Sequence, residues 1–159
     1  MRIILPPHNK VASEVLSWEQ IKNDAKLIRE MVNGKFDGNF TKAYSLAHAQ
    51  VSEEPKTFFV VSRDKKYGLE KILGHWCIIN PKIIEASDRR EIKEACMSFP
   101  LRDAKYVRRY FKVKVQYQVP GLFRLKKKTR TLVQVPAQIF QHEIEHSRGE
   151  NIFHRKTAN

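Results

Sequence analysis

Near the end of the chain stands His142-Glu143-Ile144-Glu145-His146. On a helix, residues four apart project from one face, so two imidazoles at this spacing can grip a single divalent ion. Glu143, beside the first imidazole, is placed to take a proton from metal-bound water. Two histidines do not complete a hydrolytic site, which ordinarily has three protein ligands and one open position. The longer pattern H-E-x-x-H-x-x-G-x-x-H fits through Gly149 and fails at Ile152. A glutamate on a later helix is also missing, because the only acid after His146 is Glu150. The third ligand must then come from upstream, and the candidates are Cys96, Cys77, His75, His48 and more distant acids. A thiolate is a strong ligand for zinc or iron. Cys96 lies in Glu94-Ala95-Cys96-Met97-Ser98, a small-residue turn where backbone can approach a ligand closely. Cys77 lies in Trp76-Cys77-Ile78-Ile79, which reads as strand interior, the common fate of a free cysteine. Cys96 is the expected ligand and Cys77 the expected packing residue.

Several elements must position these groups. A helix is expected from about Pro136 to Arg148, since proline suits the first helical position and Gly149 the residue just past the end. Val135, Ile139, His142 and His146 share one side of it; Ala137, Phe140 and Ile144 share another. A helix apolar on two sides is expected to lie buried between sheets. An N-terminal helix is expected over residues 13–33, where Val15, Trp18, Ile21, Ala25, Ile28 and Val32 recur at steps of three and four. Ser13 would cap its start and Asn33-Gly34 would end it. Thr57–Ser62, Lys71–Asn80 and a short Lys82–Ala86 after Pro81 are strand candidates. From Phe111 to Val119 apolar residues alternate with Lys112, Lys114, Gln116 and Gln118, the pattern of a half-buried strand. Pro120-Gly121 supplies a turn, Phe123 and Leu125 begin the return, and residues 131–135 extend the sheet. The fold class read from this is α+β: antiparallel β-sheets packed around a central metal-binding HExxH helix, with an N-terminal helix, as one domain over residues 1–159.

Composition narrows the setting. At 159 residues, 42% hydrophobic and 30% charged, the chain reads as folded rather than disordered. No apolar run approaches the roughly 18 residues a membrane span needs, so no membrane partner is expected. The first residues are too short an apolar stretch for an export signal. Two cysteines without such a signal point to a reducing, intracellular compartment, the cytoplasm, with an organelle also open. Formal charge is +13, and residues 101–130 hold eleven Lys/Arg against one Asp. Such a block can meet nucleic acid, an anionic membrane or an acidic partner, or it can be a solvated hairpin whose lysines guard strand edges.

Three segments, in order, resemble the motifs of the peptide deformylases. The family pattern G-x-G-L-A-A-P-Q stands here as Ala43-Tyr44-Ser45-Leu46-Ala47-His48-Ala49-Gln50, E-G-C-L-S as Glu94-Ala95-Cys96-Met97-Ser98, and Q-H-E-x-D-H as Gln141-His142-Glu143-Ile144-Glu145-His146. The first motif departs most, with both glycines replaced, His48 for an alanine and Ala49 for the proline. The resemblance implies hydrolysis of N-formyl-methionyl peptides to formate and a free amino terminus. It implies Cys96, His142 and His146 as metal ligands, with Fe2+ as the ion and Zn2+, Ni2+ or Co2+ able to replace it. It implies Glu143 as the proton carrier, with the Gln50 side-chain amide and the Met97 backbone N–H as oxyanion donors. Ser45 and Ala95 would border the substrate backbone, while Val135 and Ile139 would line the pocket for the methionine side chain. Besides the peptide substrate, the basic 101–130 region suits the ribosome as a partner of a monomeric enzyme. The alternative function is a catalytically degenerate relative that binds RNA or a protein through its basic surface.

Overall fold

Alternation along one strand explains most of the architecture in the computed structural model, which describes Ile3 and residues 10–34, 43–95 and 104–150. Strand β4 spans Lys105–Pro120, and Val113, Val115, Tyr117 and Val119 are all buried on one of its faces. It sits in a five-stranded antiparallel sheet of order β1-β2-β3-β4-β5. The other strands are β1 (Ser45–Ala47), β2 (Phe58–Val61), β3 (Cys77–Glu94) and β5 (Leu125–Val133). The helices are α1 (Lys22–Val32), α2 (Leu69–Leu73) and α3 (Gln134–Ser147), with a 3-10 turn at His48–Gln50.

Each face of the sheet carries a core. On one, Ile21, Ala25, Ile28 and Val32 of the α1 region cover Leu46, Phe58, Val60, Cys77 and Ile79. On the other, Ala137, Phe140 and Ile144 of α3 pack on Phe59, Val113, Val115, Tyr117 and Leu132. Phe140 meets Phe59 edge-on with ring centres 5.4 Å apart. The Tyr117 hydroxyl donates to the Leu73 carbonyl at 2.5 Å, which seats α2 on this core, and burial pushes its pKa up to about 12.

Several expectations need correction. The strands of the described residues form one sheet, not several, and α3 lies on one face of it, touching β4, β5 and β1. Only its Ala137, Phe140 and Ile144 stripe is buried among the apolar residues; Val135 and Ile139 are half-buried. The N-terminal helix begins at Lys22 rather than at residue 13. Upstream of it the N–H groups are held otherwise: Val15 donates to the Asn80 side chain, and Leu16 and Ser17 both donate to Gln20 Oε1. Ser13, instead of capping, bridges to Lys56. Residues 71–73 belong to α2 and not to a strand.

β3 then runs unbroken through Pro81. Register shifts flank that stretch, at Ile79/Lys82 and Ile83/Glu85, and Asn80 takes a positive φ of 49°. Bulges of this kind are where a strand tolerates proline, which has no N–H for the ladder. The β4–β5 turn closes through Gly121 N–H to the Arg124 carbonyl at 3.0 Å. A Cβ at residue 121 would lie 2.4 Å from that oxygen, so the turn requires glycine. The return strand starts at Leu125, and Phe123 remains in the turn, 94% exposed. Gln134 and Val135, expected to extend the sheet, open α3 instead, and the helix ends at Ser147 with Gly149 just past it at a φ of 75°, as expected of that glycine. Among the described residues no helix is long and apolar enough to cross a membrane.

Candidate metal centre

The two histidines of α3 meet as their spacing demands. Nε2 of His142 and Nε2 of His146 stand 3.0 Å apart. Two nitrogens each about 2.0–2.1 Å from one zinc-sized ion would be roughly 3.3 Å apart at a tetrahedral angle. The pair is thus spaced for a shared ion. The tautomer agrees, because His142 Nδ1 lies 2.6 Å from Glu94 Oε1. A carboxylate there keeps the proton on Nδ1 and leaves the Nε2 lone pair directed at the partner ring.

Glu94 is held in turn by Arg109. The guanidinium donates through Nε and a terminal nitrogen to both oxygens of Glu94, each at 2.6 Å, and through its other terminal nitrogen to Glu145 at 2.6 Å. All three side chains are buried. Burial alone would raise the Glu94 pKa, yet the bonds from Arg109 and His142 hold it down to about 2. The chain Arg109–Glu94–His142 therefore fixes a charged carboxylate behind the imidazole. Reading the sequence leaves Glu94, Arg109 and Glu145 without roles. A usable signal exists for Arg109, which continues the inward-facing register of Val113 and Phe111 and is an arginine at a core position.

Gln141, also without an expected role, mimics a strand. Its side-chain oxygen accepts the Tyr110 N–H at 2.9 Å and its nitrogen donates to the Tyr110 carbonyl at 2.8 Å. β5 pairs with β4 only from Lys112 onward, so Gln141 satisfies the β4 edge just beyond and docks α3 there.

Glu143 faces β1. The Ser45 hydroxyl donates to its Oε1 at 2.5 Å, and its buried Oε2 has no hydrogen-bond partner among the described residues. Burial raises its pKa, with His142 and Ser45 opposing. A carboxyl with raised proton affinity suits proton exchange near neutral pH. Gln50 is buried in the 3-10 turn, and its Oε1 accepts the Ala47 N–H at 3.0 Å. That commits the oxygen to the turn and leaves the nitrogen as the donor end of the amide.

His48 braces the same turn. Its Nδ1 accepts the Lys56 N–H at 2.9 Å, its Nε2 donates to Asp24 at 3.1 Å, and its ring stacks on Phe58. Burial lowers its pKa, which keeps Nδ1 an acceptor.

The remaining candidate ligands lie elsewhere. Cys77 is in the α1-side core, with the sheet between it and α3, and burial pushes its thiol far up. His75 stacks on Trp76 and accepts the Cys77 N–H. Among the described residues no third His, Cys, Asp or Glu joins the pair to form a metal-holding group. Cys96 and Met97 lie outside the described residues, and Ala95 is exposed at the end of β3. Val135 and Ile139, half-buried, occupy the same side of α3 as His142.

Comparison with known proteins agrees with this geometry. A family model described as polypeptide deformylase matches residues 1–159. The peptide deformylase of Wolbachia sp. subsp. Brugia malayi is 32% identical over 159 residues, covering 94% of this chain and 83% of that protein. That of Thermotoga neapolitana is 42% identical over 84 residues, 52% of this chain and 48% of the other. The crystal structure of peptide deformylase from Thermotoga maritima superposes with a TM-score of 0.78 at 28% identity, covering 99% of this chain and 97% of that one. These relatives bear an enzyme's name, and none supports a non-catalytic binding protein. A match from the first residue to the last, joined by relatives in both sequence and structure, establishes that this chain belongs to the polypeptide deformylase family, metal-dependent hydrolases that remove the N-formyl group from nascent polypeptides.

Proposed function

We propose that this chain performs the family's reaction on one divalent ion held by His142, His146 and Cys96, with α3 as the metal-binding helix of a single domain. What supports the reading is the convergence of two imidazole nitrogens at 3.0 Å beside a buried carboxyl of raised pKa. Fe2+ is the ion we assign, and Zn2+, Ni2+ or Co2+ suit the same two nitrogens and one sulfur. The ion, when bound, supplies Lewis acidity toward the formyl carbonyl and the attacking water.

The side chains do the rest. Glu143 accepts the proton of the attacking water at its carboxylate and returns it to the departing amine. Ser45 holds Oε1 and so turns the carboxylate. The Gln50 amide nitrogen and the Met97 backbone N–H donate to the oxygen that gains charge; losing one such donor typically costs about a hundredfold or more in rate. Val135 and Ile139 contact the methionine side chain of the substrate, while Ser45 and Ala95 border its backbone. The substrate, a formyl-methionyl peptide, exists at the ribosome, so a cytoplasmic monomer working beside ribosomal RNA fits the basic 101–130 region.

Formate release from formyl-Met-Ala-Ser, measured anaerobically with Fe2+ beside a Glu143→Ala control, tests this. The expected result is turnover that the control abolishes. Absence of turnover with every divalent metal overturns the reading.

A further inference from the structure

Among the described residues, no helix covers one half of a sheet face. Among the described residues, the α1-side core takes in β1, β2, the first residues of β3 and Leu125 at the start of β5. Beyond that cover, the same face continues over three strands without any helix among the described residues. Register identifies its rows: Lys82 with Gln116, Glu85 with Lys114, Ser87 with Lys112, Arg89 with Tyr110, Glu91 with Arg108, and Lys93 with Tyr106. Lys127 joins from β5, opposite Gln118. Seven cations thus share the face with Glu85 and Glu91.

Two rings stand among these charges. Tyr106 is 58% exposed and Tyr110 36% exposed. A cation lies over each, Lys93 at 6.0 Å from the Tyr106 ring centre and Arg89 at 5.6 Å from that of Tyr110. The two tyrosines are four residues apart on one strand, so they project the same way about 13 Å apart. Cations that guard a strand edge require no aromatic partners and do not need one whole face. Aromatic rings on an antiparallel sheet, framed by Lys and Arg, are the arrangement that stacks unpaired bases while neutralising phosphates.

We propose that this half-face of β3, β4 and β5 binds single-stranded RNA. Bases stack on Tyr106 and Tyr110, and the backbone runs along Arg89, Lys112, Lys114 and Lys127. The site rests on the charge and shape of this face, and it deepens the ribosome-side reading above by naming the surface and the chemistry of the partner. It also separates lysines that are adjacent in sequence. Lys126 and Lys128 pair with Val119 and Tyr117 and point to the α3 side of the sheet, away from the half-face.

That separation supplies a charge-matched control. Fluorescence anisotropy of a labelled, mixed-sequence single-stranded RNA of about a dozen nucleotides measures binding to the metal-loaded protein over a salt series. K112E/K114E should weaken binding at least tenfold and flatten the log–log salt slope by about 1.4, or 0.7 per phosphate contact. K126E/K128E carries the same charge change and should leave binding within about twofold. Y106A/Y110A should cost about fivefold or more per ring with the slope unchanged. Equal losses in the two lysine pairs would reduce the effect to net charge and overturn the site. So would an absence of RNA binding, or binding confined to anionic lipid vesicles through the exposed Leu122 and Phe123. Deformylation is measured on the same preparations. In the unsubstituted protein, turnover without RNA binding sinks this proposal alone, and RNA binding without turnover sinks the catalytic reading alone.

Discussion

Replacing Arg109 with methionine isolates the support behind the metal pair. The guanidinium makes three bonds of 2.6 Å to two buried carboxylates and is itself 2% exposed. Removing one partner of a buried ion pair leaves uncompensated charge and typically costs about 3–5 kcal/mol. Against a total stability of about 5–15 kcal/mol, that is a large fraction. The loss must also depend on pH. With Arg109 present, Glu94 has a folded pKa near 2, below its ordinary 4.5. Its contribution is therefore complete above pH 4.5 and lost as pH falls through about 2. Without Arg109, only His142 opposes burial at this carboxyl, so its pKa rises from about 2 and the variant gains less stability from its ionisation as pH rises. The gap between the two proteins is then widest near neutrality and narrows toward about pH 3. Urea unfolding of metal-stripped protein at both pH values measures it without a contribution from lost metal. Arg109→Lys keeps the charge but not the two-pronged geometry and should fall between the two. With metal restored, affinity should drop about 10–100-fold in the methionine variant, since the carboxylate behind His142 is no longer fixed. A loss below about 1 kcal/mol, or a gap of equal size at both pH values, would refute the assignment of Arg109 as the counter-charge of this network.

Other perturbations have defined outcomes. Ser45→Ala removes a hydrogen bond that lowers the Glu143 pKa, so the acidic limb of the deformylation profile should move to higher pH; an unmoved limb would separate Ser45 from proton transfer. Cys77 should resist thiol reagents in the native protein at neutral pH, while chelation should expose one reactive thiol, Cys96; mass mapping that finds label on Cys77 instead would contradict both assignments. Phe140→Ala should cost about 3–5 kcal/mol in denaturant unfolding, as expected for an emptied aromatic site between Phe59 and Tyr117, and a loss under about 1 kcal/mol would mean that α3 does not depend on that contact. His48→Ala should lower kcat more than it lowers the unfolding midpoint, because it frees the turn that carries Gln50; equal kcat with a lower midpoint would make His48 purely structural.

What is legible in the sequence follows from how local each signal is. The four-residue step between His142 and His146 is a property of any helix, and the alternation from Phe111 to Val119 is a property of any half-buried strand, so both hold in the structure. The N-terminal helix starts later than its apolar spacing suggests because the early N–H groups are claimed by Asn80 and Gln20 side chains, and one of those residues is 65 positions from its partner. Nothing local in Val15 or Leu16 reports that competition. The same holds for Lys71–Leu73, apolar enough to pass for strand but closed into a helical turn before Gly74. The bulged passage through Pro81 likewise depends on pairing with β4, which a single segment does not display.

The site itself divides along the same line. Groups that act through one element, His142, Glu143 and His146, are visible as a spacing. Groups that act by bringing elements together are not, because their partners lie 15 to 48 residues away, as Arg109–Glu94, Arg109–Glu145 and His142–Glu94 do. A physical cue does survive in one dimension. The inward register of β4, continued backward from Val113 through Phe111, reaches Arg109 and then the buried Val107. A buried arginine needs carboxylates, and in the fold Glu94 and Glu145 supply them. That rule links the second and third motifs through one residue outside both, and it explains how a departure from Asp to Glu at position 145 remains compatible with the site: the longer side chain still reaches Arg109, at 2.6 Å.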